Sequence, residues 1–305
     1  MKDGITLTPE EWDERIPSFA GVRQTSFCEF ESVAKEHFVP VMGKSVFGGS
    51  LIAQSMESAS KTVPRHMELH GKFLDRANVN DYIHYFVKKL RDGRSYVSRR
   101  VDAMQGTTLL FTATMSFQMP EPDQPQFFAP PPKIVMDGDF KLQLNIQEGQ
   151  NFLPKEVLAP EKCMLSYKRY EHLLSTIPKD DPMYAMCAKW TDDQRHVYPV
   201  EYRPAVPTMY DKNGHLQYGT SVAYWVRSRG NSPGSINFQR AMLAFQTDQL
   251  LLVNMQSSIR SLVPSMMASL DHTMWFHNDF TMKDWLLMVI QEGVFRYDTN
   301  PASRL

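Results

Sequence analysis

Cysteine and long apolar runs are scarce in this sequence, and each scarcity excludes a class of protein. The three cysteines, Cys28, Cys163 and Cys187, are far apart and lack metal-ligand spacing, which indicates a reducing compartment and incidental or buried thiols. No run approaches the roughly 18 apolar residues that cross a bilayer, and the segment beginning at Met1 has no apolar signal core. We therefore expect neither secretion nor a membrane span.

A charge excess and the common nucleotide-binding motifs are also lacking. The 33 lysines and arginines nearly balance the 34 aspartates and glutamates, so no global electrostatic argument favours nucleic acid as a partner. There is no Walker loop and no G-x-G-x-x-G motif, which leaves nucleotide hydrolysis and dinucleotide redox chemistry without support. His272 and His277 would face opposite sides of a strand, so we expect no metal site, and no cofactor is indicated.

The sequence does have the composition of an ordinary globular protein. Its 305 residues, 42% hydrophobic and 22% charged, are enough for roughly two domains. Apolar residues at helical spacing predict a helix over 47–60, preceded by a leading strand and a connection over 1–45. Alternating residues then predict an antiparallel meander of four strands, at 67–74, 82–90, 95–104 and 108–119.

The order of elements begins again in the second half of the chain. Prolines between residues 120 and 133 cannot continue a sheet interior and predict a linker. After an extended connection with some helix near 164–174, we expect strands over 195–202 and 221–227 and a second helix over 236–255. We divide the chain into a first module over 1–120, a Pro-rich linker and connection over 121–180, and a second module with a C-terminal tail over 181–305.

The repeat is not complete. A constant offset of 203 positions pairs Glu68 with Asp271 and the residues around them. In that register the counterpart of Gln118 falls about 30 positions beyond Gln291, which corresponds to about two strands and their turns. We therefore expect that the second copy lacks about 30 residues before Gln291.

The start of the first helix is one candidate site. Gly48 and Gly49 open this helix, and its first backbone N–H groups, at the positive helix end, could hold an anion or a polarised carbonyl. Ser50 stands where a nucleophile elbow has its serine, but Ile52 replaces the second glycine of that motif. Ser50 is therefore predicted to be a first-turn helix residue rather than a nucleophile.

A second candidate site lies near the C-terminus. Asp271 belongs to the densest polar and aromatic cluster, residues 270–277, where a carboxylate on a strand could act as a general base or orient a water molecule. Local features alone favour a partly buried aspartate satisfied by backbone groups. Gln291 supplies an amide that can hydrogen-bond a water or a carbonyl without titrating, although a turn after a strand is the simpler local interpretation.

Several motifs occur together in a fixed order along the chain: Val46-Phe47-Gly48-Gly49, Leu90-Arg91-Asp92-Gly93, Ser116-Phe117-Gln118, Asp271-His272-Thr273-Met274-Trp275-Phe276-His277 and Gln291-Glu292-Gly293-Val294-Phe295-Arg296. With these motifs, from about residue 20 to residue 296, the chain resembles the type II (TesB-like) acyl-CoA thioesterases. The resemblance implies an α+β fold, a double hotdog in which each module is a long helix wrapped by an antiparallel sheet. The second module would be incomplete.

The resemblance also implies a mechanism. In that family an Asp, a Thr and a Gln hold one water molecule, which attacks the thioester carbonyl directly without a covalent acyl-enzyme. The Asp matches Asp271 and the Gln matches Gln291, and the helix start at Gly48 and Gly49 is a candidate for stabilising the oxyanion. The Thr falls in the missing stretch after Trp285 and matches no residue of this chain.

The function implied by the resemblance is hydrolysis of fatty acyl-CoA to free fatty acid and coenzyme A, with acyl-CoA as the substrate and a homo-oligomer as the assembly. The tripeptide Ser303-Arg304-Leu305 is a conservative variant of the Ser-Lys-Leu signal read by the peroxisomal import receptor, which predicts a peroxisomal protein, or otherwise a cytoplasmic one. The alternative is an acyl-CoA-binding or regulatory paralogue, or a variant, that hydrolyses poorly because it lacks the Thr.

Overall fold

The structure is a computed structural model that describes residues 7–41, 43–63, 66–119, 133–137, 141–145, 156–205, 209–210, 216–217, 221–231, 234–258 and 268–291. Its helices are α1 (Pro9–Arg15), α2 (Pro17–Ala20), α3 (Gly48–Ser60), α4 (Ser166–Thr176), α5 (Pro182–Asp192) and α6 (Ile236–Ser258). The strands up to residue 118 are β1 (Val22–Ser26), β2 (Glu29–Ser32), β3 (His66–Phe73), β4 (His84–Asp92), β5 (Tyr96–Gln105) and β6 (Thr108–Gln118). The later strands are β7 (Lys133–Asp137), β8 (Lys141–Asn145), β9 (Glu156–Leu158), β10 (Val200–Pro204), β11 (Met209–Tyr210), β12 (Leu216–Gln217), β13 (Ser221–Ser228), β14 (Asp271–Met274) and β15 (Leu286–Gln291).

The N-terminal residues form two short helices and a β-hairpin, where the sequence predicted only a strand and a connection. The Thr8 hydroxyl accepts the backbone N–H of Glu11, and the Glu11 carboxylate accepts the N–H of Thr8, so a capping box begins α1. Pro9 occupies the first helical position, where its missing N–H costs nothing. Thr8, Pro9 and Glu11 are therefore local sequence signals for the start of α1, which apolar periodicity does not reveal.

The predicted helix and meander of the first module are present. α3 is buried along nearly its whole length, because it packs against the inner face of a sheet that contains β3, β4, β5 and β6. This seven-stranded sheet has the order β1-β2-β4-β5-β6-β3-β14, and all its neighbouring strands run antiparallel. Its inner face is apolar, as Ala113, Met115 and Phe117 of β6 illustrate.

The connection between the modules contains more structure than predicted. The helix expected near 164–174 is confirmed as α4. A sheet of β7, β8 and β9 and the helix α5 were not predicted, because this part of the sequence has little periodicity. Most of the predicted Pro-rich linker, residues 120–132, lies outside the described residues.

The second module has a smaller sheet in the described part of the chain, with the order β10-β13-β15. The strand predicted over 195–202 begins only at Val200, because Asp193–Val197 forms a π-helical turn that continues α5. The strand around Asp271 does not join this smaller sheet. It is β14, which extends the large sheet by pairing with β3.

The pairing of β3 with β14 has the symmetry expected of a repeat. In chain order β1, β2, α3, β3 and β4 correspond to β10, β13, α6, β14 and β15. Thr273 lies opposite His70, which is its own counterpart 203 positions earlier, as a twofold axis between equivalent strands requires. Within the described residues, β5 and β6 have no counterpart in the second module.

The two long helices pack against each other at the centre of the molecule. The rings of Phe47, which precedes α3, and Phe245 of α6 lie edge to face with centroids 4.9 Å apart. The rings of Phe38 and Tyr198 also pack against the ring of Phe245, and one hydrophobic core extends through both modules. None of the described helices is both long enough and apolar enough to cross a bilayer.

Candidate active site

The predicted general base, Asp271, lies on the outer face of the large sheet. Its carboxylate forms an ion pair with Lys72 of the neighbouring strand, Nζ to Oδ1 2.9 Å, and 61% of its side chain is exposed. Because side chains alternate along a strand, His272 and Met274 are the residues of β14 that point to the helices. Asp271 therefore faces away from the helix layer that contains Gly48 and Gly49.

The structure does not bring Asp271 and Gln291 together. Gln291 is the last residue of β15, and its backbone pairs with Ser221 of β13 in the smaller sheet. Its side chain lies outside the described part of the structure. The predicted targeting residues Ser303, Arg304 and Leu305 also lie outside the described residues.

Gly48 and Gly49 are the first two residues of α3, and their missing side chains allow α6 to approach. A Cβ atom on Gly48 would lie 2.9 Å from Oδ2 of Asp248, and one on Gly49 would lie 2.6 Å from the carbonyl oxygen of Phe245. The backbone N–H of Gly49 donates a hydrogen bond to the Asp248 carboxylate. The positive end of α3 therefore does hold an anion, and this anion belongs to the protein itself.

Asp248 is the centre of a polar cluster buried between the modules. It is only 3% exposed on α6. The Ser269 hydroxyl donates to its Oδ1 atom over 3.0 Å. The next residue back on the helix, Thr247, places its Oγ1 atom 3.2 Å from Nε2 of His272. Helix α6 and the segment that leads into β14 thus bring together a carboxylate, two hydroxyls and an imidazole.

The Thr247 hydroxyl links His272 to helix α6. Its oxygen lies 2.9 Å from the carbonyl oxygen of Ala244, 3.2 Å from Nε2 of His272 and 3.7 Å from Sδ of Met274. Because the hydroxyl has one proton and neutral histidine has two tautomers, Nε2 can be the donor or the acceptor in this contact.

Asp248 and His272 shift each other's pKa. Burial raises the pKa of Asp248 above its usual value, while the charge of His272 and the hydrogen bonds from Ser269 and Gly49 act in the opposite direction. Burial lowers the pKa of His272, and the negative charge of Asp248 opposes this shift. A carboxylate with a raised pKa is a stronger base than an ordinary aspartate, which is what general-base catalysis at neutral pH requires.

Asp248 and Ser269 were missed from the sequence, although both left a signal. Asp248 is the only carboxylate of helix α6, and burial of a carboxylate is costly unless hydrogen bonds or function compensate for it. Ser269 lies two residues before Asp271, directly before the polar and aromatic cluster of residues 270–277. Only the tertiary contact between α6 and this segment shows that the two residues form one site.

Two family models match different parts of the chain, and both describe acyl-CoA thioesterases. Residues 39–118 match the model of the acyl-CoA thioesterase N-terminal domain, and residues 192–296 match the acyl-CoA thioesterase model. Peroxisomal acyl-coenzyme A thioester hydrolase 1 of Saccharomyces cerevisiae is 25% identical over 285 residues, which cover 85% of this chain and 80% of that protein. Acyl-coenzyme A thioesterase 8 of Homo sapiens is 24% identical, over 83% of this chain and 72% of that protein.

The fold is also similar to solved structures. A conserved protein of unknown function with a hot dog fold, from Alicyclobacillus acidocaldarius, superposes with a TM-score of 0.59 at 17% identity, covering 93% of this chain and 88% of that one. Together with the two family matches, this confirms the predicted α+β double hotdog fold. At this level of identity the structural likeness concerns the fold alone.

Proposed function

The chain belongs to the acyl-CoA thioesterase family, and from that premise we propose that it hydrolyses fatty acyl-CoA with a water molecule activated by Asp248. The observation that carries the proposal is the buried Asp248 carboxylate, hydrogen-bonded by Ser269 and by the first turn of α3. This is the one described carboxylate in which burial, a raised pKa and fixed hydrogen bonds from neutral donors coincide. These are the properties of a general base.

The reaction needs no covalent intermediate. Asp248 takes a proton from water as the water oxygen attacks the thioester carbonyl carbon, and the carbonyl oxygen becomes an oxyanion. The carbon–sulfur bond then breaks, the electron pair leaves with the sulfur of coenzyme A, and the fatty acid is released. The Ser269 hydroxyl holds the carboxylate in place, and the proton taken up by Asp248 is available for the departing thiolate.

The roles that the resemblance gave to Asp271, Gln291, Gly48 and Gly49 stay predictions. Gln291 remains the proposed amide for the attacking water in a complete second module, whereas in this chain its backbone pairs with Ser221. For Gly48 and Gly49 the geometry favours close helix contact and a hydrogen bond to Asp248 over a direct oxyanion contact. For Asp271, the exposed ion pair with Lys72 favours a surface role.

The alternative of a catalytically impaired paralogue is not favoured. It rested on the absence of a residue that matches the family Thr and on the missing strands of the second module. The Ser269 hydroxyl, which contacts the Asp248 carboxylate directly, is a group of the same chemistry at the site. With this hydroxyl present, the argument for lost activity loses its main support.

The cellular location and the assembly of the protein are further parts of the proposal. The yeast relative is named as a peroxisomal protein, which supports a peroxisomal location for this chain. We propose that Ser303-Arg304-Leu305 is the signal and that the import receptor is the partner that reads it. A homo-oligomer, the module boundaries at 120 and 180 and the missing segment before Gln291 remain proposals as well.

The test is release of free thiol from palmitoyl-CoA by the purified full-length chain and two variants. Asp248→Asn keeps the shape and the hydrogen-bond acceptor but removes the base, so we expect kcat to fall by about 10²- to 10⁴-fold. Asp271→Asn is the matched control, with the same chemical change on the exposed face, and should keep near-full activity. Loss of activity in Asp271→Asn with retention in Asp248→Asn would reverse the assignment of the base.

A further inference from the structure

The Tyr198 hydroxyl is buried and has no hydrogen-bond partner in the described part of the chain. Tyr198 is 0% exposed, and its ring is fixed against those of Phe38, Phe245 and Tyr202, with centroids 5.8, 5.5 and 6.2 Å away. Its backbone N–H is fixed as well, by the carbonyl of Asp193. Leaving a buried hydroxyl unpaired is costly, and a bound ligand that supplies an acceptor removes this cost.

Tyr198 is linked to the proposed catalytic carboxylate through Phe245. Phe245, which contacts its ring, is one helical turn before Asp248 on α6, and the Phe245 carbonyl lies against Gly49. Burial, the largest effect, raises the pKa of Tyr198 well above its usual value, so the hydroxyl keeps its proton and can donate it. The negative charge of Asp248 also contributes to a raised pKa of Tyr198, so the two side chains are close enough to interact.

The site also needs a donor for the substrate. Hydrolysis places negative charge on the thioester oxygen, and this charge requires a hydrogen-bond donor. The first turn of α3 is a natural source, but the Gly49 N–H already donates to Asp248. The Ser269 hydroxyl likewise donates to Asp248. Among the buried groups around Asp248, Tyr198 has a proton that no described residue accepts.

We propose that the Tyr198 hydroxyl donates a hydrogen bond to the thioester carbonyl oxygen of bound acyl-CoA. This inference rests on the proposed thioesterase function and adds a substrate-contacting residue from the π-helical turn and β10 region of the second module. The ring cluster of Phe38, Phe245 and Tyr202 holds the phenol rigidly, which is a condition for a preorganised donor.

The kinetic test compares Tyr198→Phe with Tyr224→Phe in the full chain. Tyr198→Phe removes only the hydroxyl, and we expect kcat for palmitoyl-CoA to fall by about 10²- to 10³-fold with little change in KM, as for loss of one oxyanion donor. Tyr224 is a buried tyrosine of β13 whose ring contacts that of Tyr202, one ring further from the site, and Tyr224→Phe should keep near-full activity. Equal kcat values for Tyr198→Phe and the unmodified chain would overturn the proposal.

A binding test separates contact with the carbonyl from a structural role. In an Asp248→Asn background, we would measure the Kd of palmitoyl-CoA and of S-hexadecyl-CoA, a thioether with no carbonyl oxygen. Adding Tyr198→Phe should weaken palmitoyl-CoA binding by about 3- to 10-fold and leave thioether binding unchanged. Equal weakening of both ligands, or of neither, would contradict the proposed contact. Because this measurement needs no hydrolysis, it tests Tyr198 even if the unmodified chain releases no thiol, a result that would count against the proposed function instead.

Discussion

The Ser269 hydroxyl lies 3.0 Å from Oδ1 of Asp248, and this contact joins the segment before β14 to the middle of α6. Hydrogen bonds from neutral donors to a carboxylate are stronger than neutral pairs, so Ser269 both orients Asp248 and stabilises its charged form. The candidate site therefore depends on a helix and a strand segment whose contacting residues are 21 positions apart in the sequence.

Ser269 should be required for activity through its hydroxyl. We expect Ser269→Ala to lower kcat by about 10- to 100-fold, which corresponds to the loss of a hydrogen bond to a charged group. Ser269→Thr keeps the hydroxyl and should recover most of the activity. Ser175→Ala removes an exposed hydroxyl that bonds only to the His172 carbonyl among the described residues, and it should be neutral. Thiol release from palmitoyl-CoA measures all three, and equal activity of Ser269→Ala and Ser269→Thr would contradict the role of the hydroxyl.

The pH dependence of activity should report the environment of Asp248. Catalysis needs its carboxylate ionised, so the raised pKa places the acid limb of the kcat profile above the pH of roughly 3.9 expected for an ordinary aspartate. The positive charge of His272 lowers the pKa of Asp248, so His272→Gln should move this limb to higher pH. The other charged groups nearby, Lys72 and Asp271, neutralise each other on the opposite face of β14.

The control for this pH experiment is His277→Gln, which removes an exposed histidine of the same segment. Its acid limb should coincide with that of the unmodified chain. If the acid limb in His272→Gln stays in place or moves to lower pH, His272 does not act on Asp248 in the way described.

The glycine pair should be required for helix contact rather than for helix formation. Alanine in a helix is normally more stable than glycine by roughly 0.5–1 kcal/mol. At Gly49 the added Cβ would lie 2.6 Å from the Phe245 carbonyl oxygen and 2.3 Å from the Phe47 ring, so we expect Gly49→Ala to destabilise the protein by about 1–3 kcal/mol. Thermal unfolding followed by circular dichroism should show a lower Tm. A higher Tm would mean that α3 can move away from α6 without loss of stability, which would contradict the proposed requirement for glycine.

Gly48→Ala gives a useful contrast. Its Cβ would meet side-chain atoms, Oδ2 of Asp248 and the ring of Phe73, both at 2.9 Å, and these atoms can move more easily than backbone. We therefore expect a smaller loss of Tm than for Gly49→Ala, but a larger loss of kcat, because the displaced atom belongs to the proposed base.

The sequence predicted the fold better than it predicted the site. The helix at α3 and strands β3 to β6 follow from local periodicity, which a short stretch of chain determines by itself. Alternation along β14 indicates that Asp271 and His272 lie on opposite faces of the sheet. It does not indicate which of the two faces the helices, because that depends on how β14 pairs with β3. The role of Asp248 could be assigned only once α3 was placed against α6, since neither helix alone contains the site.

The C-terminal tripeptide should direct the protein without affecting its chemistry. With a fluorescent protein fused to the N-terminus, deletion of Ser303-Arg304-Leu305 should change a punctate peroxisomal distribution to a diffuse one, while Arg304→Lys should keep the punctate pattern because the positive charge is retained. Thiol release by the purified deletion variant should equal that of the full chain. Peroxisomal distribution of the deletion variant would mean that another segment carries the signal.

The gap proposed before Gln291 leads to a specific structural expectation. In the first module Gln118 ends β6 and pairs with His66 of β3. The counterpart of Gln118 is Gln291, and the position 203 residues after His66 is Ser269. In a complete second module, Gln291 would therefore lie beside Ser269 and the Asp248 carboxylate. In this chain Gln291 instead ends β15, which occupies the place of β4, and pairs with Ser221.

Restoring about 30 residues between Leu287 and Gln291, with two strands whose lengths and alternation follow β5 and β6 of the first module, should move the Gln291 amide to the catalytic water. We expect kcat for palmitoyl-CoA to rise by about 10-fold or more over the chain as it stands. Replacing Gln291 by Ala should then abolish this gain in the restored chain but change little in the original one. An original chain that is as active as the restored one, and equally sensitive to Gln291→Ala, would mean that β15 already presents this amide to the site.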